Sequence, residues 1–230
     1  MTEMNKLEQK FLLAGVPKKW HGLHLESPKV RLSNGPLDWA HDYLENLDDN
    51  IAQGIGANFR GEPGRGKSML GAIIVMEAIK KRRNAVYFPA HKLIAWEIEQ
   101  MKLMDYIKNV GRLAKDIDRD LDATLTETET RYSERKVLLD NLQRDEVELL
   151  VLDDLGNEHG TISAFAAHTL EWTLRARSYA ALPSITTSNH SVPELIQLYR
   201  PAFVSFLAEL GPGVMFRGKD FRQGMFEDVA

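Results

Sequence analysis

The sequence predicts an α/β fold in which a parallel sheet is covered by helices on both faces. Three observations predict it. Short apolar runs alternate with longer segments of helical spacing along the 230 residues. One run leads into a glycine-rich loop that opens an apolar helix. Another, Leu149-Leu150-Val151-Leu152, ends in two adjacent acids, Asp153 and Asp154. Strands that alternate with helices pair in parallel, and their crossovers cover both faces of the sheet.

In chain order, residues 1–15 read as a short helix carrying Leu7, Phe11 and Leu12, stopped at Gly15. Residues 16–20 read as an extended lead-in, because Pro17 disfavours helix before it. Pro36 opens a helix to about residue 49, with Trp39, Ala40, Tyr43, Leu44 and Leu47 as its inner stripe. Residues 57–60 form a strand. Residues 68–83 form a helix that is apolar nearly all round, and Asn84 can close it. Residues 86–88 are the next strand. Residues 91–145 have helical spacing, with a break at the threonines of 124–130 and a second helix through Val137, Leu138 and Leu142. A strand at 149–152 follows, then a helix at 163–179, a strand at 184–188, a helix from Pro193 to Tyr199 and a late strand at 214–216.

Composition sets limits. An apolar fraction of 43% supports a core, while a charged fraction of 27% and 4 Trp argue against disorder. The net charge of −4 excludes a globally basic nucleic-acid coat. With no cysteine, disulfides, thiol catalysis and cysteine-ligated zinc are excluded. The polar start is no signal peptide, and no apolar run approaches the roughly 20 residues of a membrane span. A cytoplasmic protein is expected.

The strongest motif is Gly61-Glu62-Pro63-Gly64-Arg65-Gly66-Lys67-Ser68. Its glycines let backbone N–H groups point inward at a β-phosphate. Lys67 supplies charge to the β and γ phosphates, and Ser68 offers a hydroxyl to Mg²⁺. The chain is therefore expected to bind ATP with Mg²⁺ as a P-loop ATPase. Asp153 and Asp154 would stand at the carboxyl end of a central strand, where ligands sit in open α/β sheets. Asp153 would hold Mg²⁺ and Asp154 would orient or deprotonate the attacking water. Asn189, ending another strand, has two open readings: it holds water or γ-phosphate, or it caps the next helix. The basic run 80–83 likewise either complements a helix end or touches DNA phosphates.

With these landmarks, the sequence resembles the AAA+ ATPases of the bacterial helicase-loader and transposition-helper group, the DnaC, DnaI and IstB type. The matching runs are Ala14-Gly15-Val16-Pro17-Lys18-Lys19-Trp20, the P-loop, Leu150-Val151-Leu152-Asp153-Asp154-Leu155-Gly156-Asn157-Glu158, Arg175-Ala176-Arg177-Ser178-Tyr179, Leu182-Pro183-Ser184-Ile185-Thr186-Thr187-Ser188-Asn189 and Gly218-Lys219-Asp220-Phe221-Arg222. The resemblance implies an AAA+ core over residues 16–230 with little or no lid domain and a helical insert at about 97–145, before the Asp153 strand. It implies Asn189 as the residue sensing γ-phosphate, Val16 and residues 17–20 lining the adenine pocket, and a homo-oligomeric ring or spiral. It implies a loader, phage-encoded given the pared-down chain, that binds single-stranded DNA and a replicative DNA helicase. The rivals are a transposition helper on duplex DNA and a nucleotide-gated adaptor with little turnover.

The group carries Ser-Arg-Leu where this chain has Ser205-Phe206-Leu207, so its trans-acting arginine is missing. Arg177, Arg200, Arg217 and Arg222 are the candidate substitutes, and Phe206→Arg would be expected to raise turnover. Such an arginine is worth about 10³–10⁵ in rate. The insert reads either as a solvated helical hairpin or as a docking arm for a partner.

Overall fold

The computed structural model describes residues 3–110, 119–157 and 164–221. The elements are α1 (Glu3–Leu13), a 3-10 turn at Lys18–Trp20, α2 (Asn34–Glu45), α3 (Leu47–Ala52), β1 (Ala57–Arg60), α4 (Lys67–Lys80), β2 (Ala85–Pro89), α5 (Ala90–Val110) and α6 (Arg119–Leu142). They continue with β3 (Leu149–Leu155), α7 (Ala164–Tyr179), β4 (Ser184–Ser188), α8 (Val192–Leu198), α9 (Pro201–Glu209) and β5 (Gly213–Met215). The five strands run parallel in the order β2-β3-β4-β1-β5.

Alternation along each strand sorts the core into two layers. Ala57, Phe59, Tyr87, Leu149, Val151 and Ile185 face the layer built with α1, α2 and α4. Phe88, Leu150 and Leu152 face the layer that holds side chains of α5 to α9. Helix α4 is the most enclosed element: Ile73, Ile74 and Val75 are each 0% exposed. Each such aliphatic side chain contributes roughly 1.5–3 kcal/mol by burial, so α4 is fixed on the sheet by far more than its own helix propensity.

Three expectations are corrected and one helix is added. The helix from Pro36 is two helices, because the chain turns at Asn46 between α2 and α3. Helix α4 is closed by Arg82 at φ 65°, not by Asn84. Arg82 N–H donates to Ile79 O (3.0 Å) and Arg83 N–H to Ala78 O (2.9 Å), the two bonds of a Schellman end. Residues 124–130 are no break but lie inside α6. Thr128 and Thr130 return their hydroxyls to the carbonyls of Thr124 and Thr126 (2.8 and 2.9 Å), which lets threonine sit inside a helix. Helix α9 is an addition: Pro201 opens it, and Phe203, Val204, Phe206 and Leu207 are its buried stripe.

Buried Asn58 ties α9 to the sheet. Its amide donates to Leu207 O (2.6 Å) and Gly211 O (3.1 Å), and its carbonyl accepts from the Thr186 hydroxyl (2.7 Å). With these partners a buried amide is satisfied, and β1, β4 and the end of α9 are locked in register.

Candidate functional site

The P-loop spans the gap between β1 and α4. Gly64 (φ 76°) and Gly66 (φ 90°) are both left-handed, a conformation that strains any L side chain. Gly66 caps α4, so the positive end of that helix dipole meets the loop. At Gly64 a side chain is excluded twice over, since a Cβ there would lie 1.7 Å from the Asp220 carboxylate. Phe221 N–H donates to Gly64 O (3.1 Å), so residues 220–221 close against the loop. Lys67 is 5% exposed, and its Nζ donates to Gly61 O (2.5 Å) and Glu62 O (2.8 Å). The ammonium is thus held against its own loop by neutral carbonyls, which a phosphate oxygen outcompetes as a charged acceptor. Arg65 pairs with the exposed Glu62 carboxylate within the loop.

The two acids at the end of β3 have opposite environments. Asp153 is 8% exposed and both its oxygens are capped. Tyr87 Oη donates to Oδ2, and Thr187 Oγ1 donates to Oδ1 (2.6 Å). Burial, and then the Asp153 charge, push the Tyr87 hydroxyl far above its ordinary pKa, and it stays a neutral donor. Asp154 is only partly buried and sits at φ 68°, a backbone state that costs about 1–3 kcal/mol for a non-glycine. Its N–H donates to Thr187 Oγ1 (2.9 Å), and its Oδ1 accepts from Asn189 Nδ2 (2.9 Å) and Asn157 Nδ2 (3.1 Å). Of the two readings of Asn189, helix capping fails. The N-cap of α8 is Ser191, whose N–H donates to Glu194 (2.7 Å), while the Asn189 amide is on Asp154.

Three of the residues singled out in the sequence are therefore linked, Asp153, Asp154 and Asn189, while Lys67 is held by the carbonyls of its own loop. Two linkers were not anticipated in role, Tyr87 and Thr187. Val16 is buried at 2% and its carbonyl accepts from His21 Nε2 (3.1 Å). Its neighbours reach the site edge, with Tyr87 N–H on Ala14 O (2.8 Å) and Trp20 edge-on to Tyr87 at 5.9 Å.

The arginine candidates separate sharply. Arg177 is 0% exposed and cannot reach a neighbouring subunit. It donates to the carbonyls of Leu142 (2.8 Å), Val147 (2.9 Å) and Pro183 (2.9 Å) and to Ser184 Oγ (3.0 Å), and burial lowers its pKa to about 9. Arg177 is a structural knot, and its candidacy falls. Arg200 is exposed and pairs with Glu171 (2.7 Å), which Arg175 also binds (2.9 Å). Burial alone would raise the Glu171 carboxyl; the two arginines outweigh it and hold it below the usual range. Arg217 is exposed, and Arg222 lies outside the described residues, as does Glu158. Phe206 is 2% exposed, with the Arg175 guanidinium 4.2 Å from its ring centroid. An arginine at 206 would bury its charge, so Phe206→Arg is no route to higher turnover. The basic run 80–83 is internally engaged: Lys80 with Glu77 (2.7 Å), Lys81 with Leu44 O, and Arg83 with Asp48 (2.7 Å) and Glu148 (3.0 Å).

Among the described residues no group of three or more His, Asp or Glu gathers to hold a metal by itself. The oxygens of Ser68 and Asp153 instead suit Mg²⁺ arriving with a nucleotide, since that ion keeps waters and takes phosphate oxygens beside one or two protein ligands. Also among the described residues, no helix is long and apolar enough to cross a membrane.

The fold is five parallel strands between helical layers, with the P-loop between β1 and α4. No family model and no curated sequence matches the chain. Solved structures do. A DnaC helicase loader superposes with TM-score 0.63 at 20% identity, covering 87% of this chain and 100% of that one. DnaI gives 0.56 at 18%, covering 89% and 93%. The replication initiator DnaA bound to AMPPCP and single-stranded DNA gives 0.59 at 18%, covering 93% of this chain and 55% of that one.

Proposed function

We propose that this chain binds and hydrolyses ATP in DNA replication, as a loader that grips a replicative DNA helicase and single-stranded DNA. The observation that carries the reading is the hydrogen-bonded cluster of Asp153, Asp154, Thr187 and Asn189 beside the strand that leads into the P-loop, in a fold matched along its length by a helicase loader. Lys67 would neutralise the β and γ phosphates, and Gly61 to Gly66 would cradle them with backbone N–H groups. Ser68 and Asp153 would hold Mg²⁺, which would screen charge developing on the phosphate oxygens. Asp154 would orient the attacking water and take its proton, with Asn189 fixing the carboxylate at 2.9 Å. Val16 and residues 17–20 would border the base. Subunits would assemble as a ring or spiral, and Arg200, Arg217 or Arg222 would complete the site of a neighbour. With Phe206 turned into the core, turnover of the isolated chain would be weak.

The test is affinity capture on Asp154→Asn protein, which should bind ATP without consuming it. With ATP and Mg²⁺, and not with ADP, a hexameric replicative helicase should be retained. Retention of a transposase, or no nucleotide-dependent partner, overturns the loader reading.

A further inference from the structure

Strands β1 and β4 and helices α8 and α9 border a cavity of about 330 Å³. It lies on the face of the sheet opposite α4. Its lining reaches the ends of three strands: Arg60 precedes Gly61, Ser188 precedes Asn189 and Leu155 follows Asp154. The walls are apolar, with Leu195 of α8 facing Val204 and Leu207 of α9, all three buried. The polar floor is already engaged. The Thr186 hydroxyl donates to the Asn58 carbonyl (2.7 Å), and the Ser188 hydroxyl donates to Leu155 O (2.7 Å).

Arg60, the one charged residue in that lining, is the exception. It is half-buried, its Nε is closed off from solvent, and that Nε meets no acceptor. Among the described residues no carboxylate pairs with its guanidinium. The side chain lies over Gly213 of β5, where a Cβ would stand 2.6 Å from Nη2. A glycine at 213 thus leaves the room that the guanidinium takes. A cation set beside apolar walls without a counter-charge calls for an anion.

We propose that this cavity binds a small carboxylate with a short apolar body. The carboxylate sits on Arg60, and the body lies between α8 and α9. A guanidinium presents paired N–H donors that match the two oxygens of a carboxylate. One cation balances one negative charge, unlike a glycine loop that turns many N–H groups on a phosphate. The volume and the buried apolar walls match a small ligand that becomes mostly enclosed. The assignment needs no nucleotide and stands apart from the ATPase reading.

The test is calorimetric titration of the whole chain, without nucleotide, with hexanoate, octanoate and benzoate, and with octanol as the uncharged counterpart. At least one acid should bind, and octanol should bind more weakly than octanoate. Arg60→Leu keeps an apolar side chain and removes the charge. It should weaken the acid about 10–100-fold, the range expected for hydrogen bonds to a charged group, and leave octanol unaltered. Ala208→Trp sets a large ring at the mouth from an exposed position on α9 and should abolish binding. That variant reads the site even if Arg60→Leu does not fold. Lys67→Ala should change nothing. No binding by any acid overturns the proposal, as does octanol binding as tightly as octanoate. Binding that both Arg60→Leu and Ala208→Trp leave intact overturns it too. An acid lost only in Lys67→Ala would lie in the P-loop, which also overturns it. A chain that binds the acid at Arg60 but no ATP would overturn the ATPase reading alone.

Discussion

The two ends of the α5–α6 hairpin are made from the same two helices and obey different rules. At the sheet end, Ala90, Leu93 and Ile94 of α5 and Leu139 and Leu142 of α6 are buried. There Arg177 of α7 ties the last residue of α6 to the loop before β3 and to the start of β4. At the far end, Ile98, Met101, Met104 and Tyr106 are exposed, Met101 by 53%. Polar contacts join the helices there, Gln100 Nε2 on Tyr132 O (2.8 Å) and Arg131 near Glu99 (3.4 Å). The sheet end is part of the core. The far end keeps apolar surface that the fold itself does not use.

Breaking the sheet end should have the largest effect. Arg177→Leu removes every donor at once, and buried carbonyls left without one cost about 1–3 kcal/mol each, so a loss on the order of 5 kcal/mol is expected. That approaches the whole stability of an ordinary domain, and urea unfolding would show it as a midpoint collapsed toward zero. A shift below about 1 kcal/mol would mean that water replaces the guanidinium and that the sheet end is open after all. Phe206→Arg acts in the same layer through packing. Losing a buried phenylalanine costs about 3–5 kcal/mol before the buried charge is counted, so the melting temperature should fall and turnover should not rise. Increased turnover at unaltered stability would show that position 206 faces a subunit junction. The smallest effect should come from the far end. Met101→Ser with Met104→Ser should alter stability by no more than about 0.5 kcal/mol each, as exposed substitutions do. A loss above about 2 kcal/mol in urea unfolding would place those side chains in a core rather than on a surface.

The same contrast explains what could be read in advance. Strands β1 and β4 match the sequence reading residue for residue, because short runs bounded by Gly56, Gly61, Pro183 and Asn189 leave little freedom at either end. The P-loop and the paired acids announce themselves because their chemistry is local in sequence. Arg177 did not, since an arginine in the last turn of a helix looks like a surface cation until the end of α6 and two loops close over it. Tyr87 did not either. Its role exists only because β2 lies beside β3, with Tyr87 opposite Val151, and strand pairing is a property of the assembled sheet. Helix α9 did carry a signal, Pro201 followed by apolar residues at 203, 206, 207 and 210.

The strand order has a further consequence, for how the chain comes into being. β1 lies between β4 and β5, and its partners are Ala57 with Ile185 and Asn58 with Gly213. Both neighbours are made long after it. During synthesis the P-loop residues leave the ribosome early, with no strand on either side of the one that must hold them. Contacts so distant in sequence form slowly, because the loop entropy is lost before the pairing returns it. The nucleotide loop is thus among the first parts of this protein to be written and among the last to take shape, and a nascent chain that stops short of Ser184 would carry the motif without the site.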